Sequence, residues 1–401
     1  MGEERLTLTR RSLLQIAGRA IAVSGIAGVS HPFARGVASA QTGGAGRAVV
    51  CIYLFGGNDS NNLVVPLDAA QYRAYAEARG ALALPADALL PVKAAKGQAL
   101  YGLHPSLAEL RQLYNAGALA VVANVGSLVR PVTKAAYRAG AAALPADLMA
   151  HQYSSLSFIA GGFAVPRWAA GTASSNPSAL QARSFTFNTG LSLVCPGGFH
   201  LPGDSMENAK LLRAMAGPTP HVRFPETGLG RQLKQVASLI KAGGEMGMGS
   251  QVFLASLGGF DTHAQQAERH ASLLRELSQA MAAFHAATVE TGVAGRVTTY
   301  TDSEFGRALR PNATQGTEHG WGAHHLAMGA AVRGGDVYGG FPEMALGGPQ
   351  DATGAGVWIP TTSRDQYAAT LAKWAGIPYR DLPVLSARLK GFASPTLGFV
   401  A

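Results

Sequence analysis

An unbroken run of apolar residues, Val49-Val50-Cys51-Ile52-Tyr53-Leu54-Phe55, stops at Gly56-Gly57-Asn58-Asp59. A strand with one wet face would alternate apolar and polar residues; this one does not, so both of its faces must be covered. Further apolar runs follow at Ala118 to Val125, Gln251 to Leu257 and Arg296 to Thr301, and Leu326 to Val332 is apolar again. Helical patterns lie between them. From Pro105 to Ala116, Leu107, Leu110, Leu113 and Tyr114 share one face, with Pro105 where a first helical position tolerates it. Leu229 to Lys241 is amphipathic, Ala264 to Thr291 repeats Leu273, Leu277, Met281 and Phe284 at helical spacing, and Gln366 to Ala375 forms a late helix. Strands alternating with helices predict an α/β fold with a largely parallel central sheet flanked by helices. Residues 127–225 fit neither period, so an irregular cap or insertion is expected there.

The first forty residues read as a leader. Thr9-Arg10-Arg11-Ser12-Leu13-Leu14 fits the twin-arginine pattern, a weakly apolar stretch runs from Ile16 to Val29, and Ala38-Ser39-Ala40 suits a signal peptidase. The stretch is too short and glycine-rich to span roughly 30 Å of hydrocarbon. The expected partners are therefore the twin-arginine translocase and signal peptidase, and the expected location is periplasmic or secreted. Residues 41–401 then form a single domain, with no later run long enough to be an integral membrane helix.

The net charge is +9, of which the leader contributes +3, leaving a mild +6 on the rest. Scattered basic residues argue against nucleic acid as a partner and favour an anionic small-molecule or envelope substrate. Cys51 and Cys195 are read as unpaired thiols ahead of a disulfide, because Cys51 sits in a buried strand pattern. Cysteine-pair, haem and dinucleotide motifs are missing, so a redox role is disfavoured.

The strand ends carry the chemistry. Asp59 follows the first run, Asp261 and His263 the Gln251 to Leu257 run, and Asp302 and Glu304 the Arg296 to Thr301 run; Thr317-Glu318-His319-Gly320-Trp321-Gly322-Ala323-His324-His325 concentrates imidazoles. Open α/β sheets bind ligands beyond the carboxyl ends of their strands, where these loops should meet. Converging carboxylates and imidazoles suit a divalent metal, or two ions clamping a transferred group. Taken singly, each residue has a plainer reading. Asp59 would hold a turn, Asp261 would cap the next helix, and Glu304 and Arg307 would pair. One of His324 and His325 would point into packing. His104, His270 and His285 would be solvated.

Phe55-Gly56-Gly57-Asn58-Asp59-Ser60-Asn61-Asn62, Gly259-Phe260-Asp261-Thr262-His263, Ser303-Glu304-Phe305-Gly306-Arg307 and Gly316 to Gly322 with His324-His325 together resemble the bacterial family of domain of unknown function 1501. Ala330 to Gly335 and Leu371-Ala372-Lys373-Trp374 add to the resemblance. It implies an alkaline-phosphatase-like sandwich, a superfamily that includes sulfatases, with a two-metal site at the strand ends. By that analogy Asp59, Asp261, His263, Asp302, Glu304 and His319 are the metal ligands, and the ion is Zn, Mn, Mg or Ca. Arg307 or His151 would steady the anionic group.

The chain departs from the pattern at Ala150-His151-Gln152-Tyr153, where related sequences often carry Ser-His-Ser-Asp. The histidine stays and its hydroxyl and carboxylate neighbours go. Ser127, Thr133, Ser154 and Ser155 are the nearby hydroxyls, and none is singled out as a nucleophile. The expected activity is metal-dependent hydrolysis of phosphate or sulfate esters. The alternative is a non-catalytic cell-envelope binding protein on the same fold.

Overall fold

The computed structural model describes residues 46–145, 148–151, 192–194, 220–245, 251–376 and 387–401. The leader, Cys195, Ser154, Ser155 and most of the expected 127–225 insertion lie outside them.

The first apolar run is strand β1 (Ala48–Phe55), and it sits near the middle of the main sheet. It pairs in parallel with β7 (Gln251–Gly258) on one side and β8 (Val297–Ser303) on the other. The sheet order is β12 (Val337–Tyr338), β5 (Leu119–Gly126), β11 (Ala323–Met328), β8, β1, β7 and β6 (Ser192–Val194), with β13 (Thr362–Ser363) also on β5. β11 and β6 run antiparallel to their neighbours and the other strands share one direction. The fold is mixed α/β with a mostly parallel central sheet. β11 reverses for a local reason. After β8 the chain makes a short hairpin, β9 (Arg307–Pro311) with β10 (Thr317–His319), at the same edge and re-enters the sheet there. A parallel return would need a crossover to the far edge.

β1 shows why both faces are apolar. Val50, Ile52 and Leu54 pack with Leu233, Val236, Leu277, Met281 and Phe284, from α5 (Gly228–Glu245) and α6 (Gln266–Glu290). The alternate residues Val49, Cys51 and Tyr53 pack with Tyr367, Leu371 and Trp374 of α7 (Arg364–Trp374). Cys51 is a buried free thiol. Successive side chains pointing to opposite faces thus fill two cores, each large side chain contributing roughly 1.5–3 kcal/mol on burial. None of the helices among the described residues is long and apolar enough to cross a membrane.

Smaller elements crowd one end. α1 (Ser60–Leu63) follows directly on the β1 loop, and α2 (Ala69–Arg79) packs over a small sheet of β2 (Val64–Pro66), β3 (Leu90–Lys93) and β4 (Leu100–Leu103). α3 (Ala108–Asn115) starts later than its pattern predicts. Pro105 lies in a turn ahead of it, where the Ser106 N–H donates to His104 Nδ1. α4 (Lys134–Arg138) is capped by the Thr133 side chain. α7 begins with a capping box between Ser363 and Gln366.

Three histidine expectations change. His104 and His270 are buried rather than solvated, because α3 and α6 close over them; their rings stack edge to face at 5.9 Å. His324 and His325 are both buried in β11, since a strand covered on two faces buries successive residues alike.

Candidate functional site

The registers align the carboxyl ends of the parallel strands, Phe55 with Gly258 and Leu54 with Ser303, while β11 starts beside Val125 near the end of β5. The loops that follow meet at this edge. Gly56 and Gly57 make the approach close: φ is +113° and +81°, a region that disfavours side chains. A Cβ on Gly56 would sit 2.2 Å from the Asp261 nitrogen, and one on Gly57 would sit 2.3 Å from the Phe305 ring. Both amides donate to Glu304 Oε2, at 2.9 and 3.1 Å, which ties the β1 loop to the β8 loop.

Asp261 lies at the centre of a histidine cluster. His263 Nε2 is 2.9 Å and His319 Nε2 3.2 Å from Asp261 Oδ1, and His151 Nε2 is 3.4 Å from Oδ2. The Nε2 atoms of His263 and His319 are 3.2 Å apart. His151, Asp261 and His319 form a group able to hold a metal ion, with ligand atoms within 4.8 Å of one another. Phe305 stacks on His319 at 4.1 Å and meets His151 edge-on, which fixes both rings.

Each imidazole turns Nε2 inward and Nδ1 toward an oxygen. His319 Nδ1 lies 2.9 Å from the Met149 carbonyl, His263 Nδ1 3.3 Å from Glu318 Oε2, and His151 Nδ1 3.8 Å from Glu304 Oε1. A carbonyl only accepts, so His319 Nδ1 carries a proton. Burial, helped by the Arg307 charge, lowers the His319 pKa against the bonds to Met149 and Asp261 that raise it. Glu318 is held ionised chiefly by the hydrogen bond from Asn312 and then by the His263 charge. An ionised carboxylate beside His263 Nδ1 favours a proton there too. The Nε2 atoms of His263 and His319 and a carboxylate oxygen of Asp261 face one another, an arrangement bridged by protons when hydrogen-bonded and open to a cation in their place.

Arg307 is buried and already engaged. It donates to Asp261 Oδ1 at 2.8 Å, to Thr317 Oγ1 at 3.1 Å, to the Gly56 carbonyl at 3.3 Å and to the Thr317 carbonyl. Burial alone would raise the Asp261 pKa, but the Arg307 hydrogen bond and charge, with His263 and His319, hold it below the ordinary carboxylate range. Arg307 here orients Asp261 instead of facing an incoming anion.

Two acids expected among the ligands are placed elsewhere. Asp59 is fully buried in an ion pair with Arg79 at the end of α2, and Gln266 donates to the same Oδ2. Asp302 lies beneath the edge, 3.2 Å from Arg364 Nη2 and 3.4 Å from His325 Nε2, on the α7 side of the sheet. Burial pushes its pKa up to about 6 although Arg364 pulls it down. Glu304 stays at the site's wall as the acceptor for two amides. The structure thus gathers Asp261, His263, His319, His151, Glu304 and Arg307 and leaves Asp59 and Asp302 in separate pairs.

Arg79 and Glu318 are the contributors that sequence reasoning missed. Glu318 adjoins His319 in sequence but partners His263, a pairing that adjacency does not reveal, and nothing in the α2 sequence marks Arg79 as the counter-ion of Asp59. The model of the family described as "Protein of unknown function (DUF1501)" matches residues 204–354, which contain Asp261, His263, Glu304, Arg307 and His319. That match supports the family resemblance over this stretch. No curated protein matches the chain.

Proposed function

We propose that the chain is an exported hydrolase of phosphate or sulfate esters that works with one divalent metal held by Asp261, His263, His319 and His151. The inward-facing Nε2 atoms around Asp261 carry this reading. Ligands on a tetrahedral ion with bonds of about 2.0–2.1 Å stand roughly 3.3–3.4 Å apart. Among His263 Nε2, His319 Nε2 and Asp261 Oδ1 the separations of 2.9, 3.2 and 3.2 Å lie close to that spacing, and His151 Nε2 meets the other Asp261 oxygen at 3.4 Å. Three imidazoles with one carboxylate favour Zn over Mn, Mg or Ca, which prefer oxygen. With Asp59 and Asp302 already paired, one ion is favoured over two. The ester class, the alkaline-phosphatase-like sandwich and the periplasmic or secreted location come from the resemblance and the leader.

When bound, such an ion supplies Lewis acidity and lowers the pKa of a bound water toward about 7. The chain's own residues set the geometry. Glu318 and the Met149 carbonyl hold His263 and His319 with Nε2 inward, and such outer partners commonly raise ligand basicity. Arg307 locks Asp261. His151 has a side chain 43 % exposed and lies at the solvent face, so its withdrawal would open a position for water or an ester oxygen. Assaying the leaderless chain with generic phosphate and sulfate esters, with and without added Zn or Mn, tests this. Metal-dependent turnover lost in His319→Ala supports it, and no turnover with any ester rejects it.

A second reading has its own observation. Four protein ligands close a metal site, as in structural centres, and Arg307 is committed within the fold. A structural metal in a non-catalytic cell-envelope binding protein follows if metal binds stoichiometrically and no ester turns over.

A further inference from the structure

We propose that Gln266, which makes no hydrogen bond to the histidine cluster, is the positioning residue that locks the two ligand-bearing segments of the site to each other. This role presupposes the bound metal of the proposed hydrolase. Gln266 is the first residue of α6 and is buried. Its Oε1 accepts two hydroxyl hydrogen bonds, from Thr262 at 2.9 Å and from Thr317 at 2.6 Å. Thr262 stands between Asp261 and His263, and Thr317 begins β10, which ends on His319. One amide oxygen thus ties the segment that carries Asp261 and His263 to the strand that carries His319.

The partners set the direction of every bond. An ionised carboxylate only accepts, so the Gln266 amide nitrogen faces Asp59 Oδ2 and its oxygen faces the two threonines. Both threonines reach that oxygen without Asp59, so loss of Asp59 leaves the tie in place. Thr317 gives its proton to Gln266 and keeps a lone pair for Arg307 Nε, which donates to it at 3.1 Å. Arg307 in turn donates to Asp261 Oδ1 at 2.8 Å. The hydroxyl that Gln266 orients therefore fixes the guanidinium that holds Asp261. Gln266, Thr262, Thr317 and Arg307 are all buried, and hydrogen bonds shielded from water rigidify the groups they join. The backbone is held separately. The Thr317 N–H donates to the Thr262 carbonyl at 3.1 Å, and the Gln266 N–H donates to the Gln315 carbonyl at 2.9 Å. Removing a side-chain link therefore loosens side chains and leaves the strand in place.

The test is the Zn affinity of the leaderless chain, by competition against a chromophoric chelator, together with the visible spectrum of the Co-loaded chain, which reports ligand geometry. Thr317→Val and Thr262→Val each remove one hydroxyl with little change of shape. Each should weaken Zn about tenfold, within the range of outer-sphere partners, and alter the Co bands. Thr317→Ser keeps the hydroxyl and should match the parent. Gln266→Met should weaken Zn at least as much as either threonine variant. In that background Thr317→Val should lose most of its effect, because the acceptor that orients the hydroxyl is gone. Thermal melts check that each variant is folded. A purely structural role would lower the melting temperature and leave the affinity and Co spectrum of the folded chain unchanged. Unchanged Zn affinity in both folded threonine variants, weakening that Thr317→Ser shares, or additive effects of Gln266→Met and Thr317→Val would each overturn the proposal while the metal reading stands. A parent chain that binds no Zn rejects the metal reading and this role with it.

Discussion

His263 and His319 face each other Nε2 to Nε2 across 3.2 Å, and each has its Nδ1 against an oxygen of the chain. Without an ion, one ring can donate its Nε2 proton to the other; with a shared cation, both Nε2 atoms serve as ligands and both Nδ1 atoms keep their protons. Residues that only set ring orientation therefore matter to the site as much as those that face it.

Glu318→Gln follows from that. The side chain is 64 % exposed, so its removal costs the fold little, but His263 loses the carboxylate that favours its Nδ1 proton. Affinity for Zn should fall about 10- to 100-fold, as for other outer-sphere partners, with an unchanged melting temperature of the metal-free chain. Competition against a chromophoric chelator measures it. Unchanged affinity would remove Glu318 from the account.

Asp59→Ala separates two roles. As the buried partner of Arg79 it should destabilise the chain by roughly 3–5 kcal/mol, because a buried guanidinium is left unpaired. Metal bound per folded chain should not change. Denaturant unfolding with metal analysis of the folded fraction checks both. Metal loss with unchanged stability would restore Asp59 as a ligand.

Acid should weaken the fold early. Burial lowers His104 to about 4 and His324 to about 3, and it holds His270 and His325 well below the ordinary imidazole value. Each has a folded pKa below its unfolded pKa of about 6.5. Between the two values the unfolded chain binds protons that the folded chain does not, so stability falls as pH drops below about 6.5. Asp302 works the other way. Its pKa, raised to about 6, makes the folded form the better proton binder between about 6 and its ordinary value, which offsets part of the loss. The net expectation, set by the four histidines, is a urea midpoint that declines from pH 7 to pH 5. A flat midpoint would contradict the burial of these rings as neutral groups.

The sequence made the sheet legible because period and length are local. β1, β5, β7 and β8 lie within a residue or two of their apolar runs, and α6 within two residues of its pattern. The antiparallel β11 was not legible, since its direction depends on the β9–β10 hairpin. In the site, Asp261, His263 and His319 were readable from their strand-end loops. Asp59 and Asp302 share that placement, and only three-dimensional packing shows Arg79 and Arg364 holding them below the edge. His151 was assigned to an anion and meets Asp261 instead, a contact between distant segments that no spacing encodes.

The most direct measurement is the metal content of the leaderless chain by plasma mass spectrometry, after incubation with Zn or Mn and extensive dialysis. The account predicts one ion per chain, lost in His263→Ala and His319→Ala and retained in the folded fraction of Asp59→Ala. No retained ion in the parent chain, or an ion that survives both histidine substitutions, would contradict it.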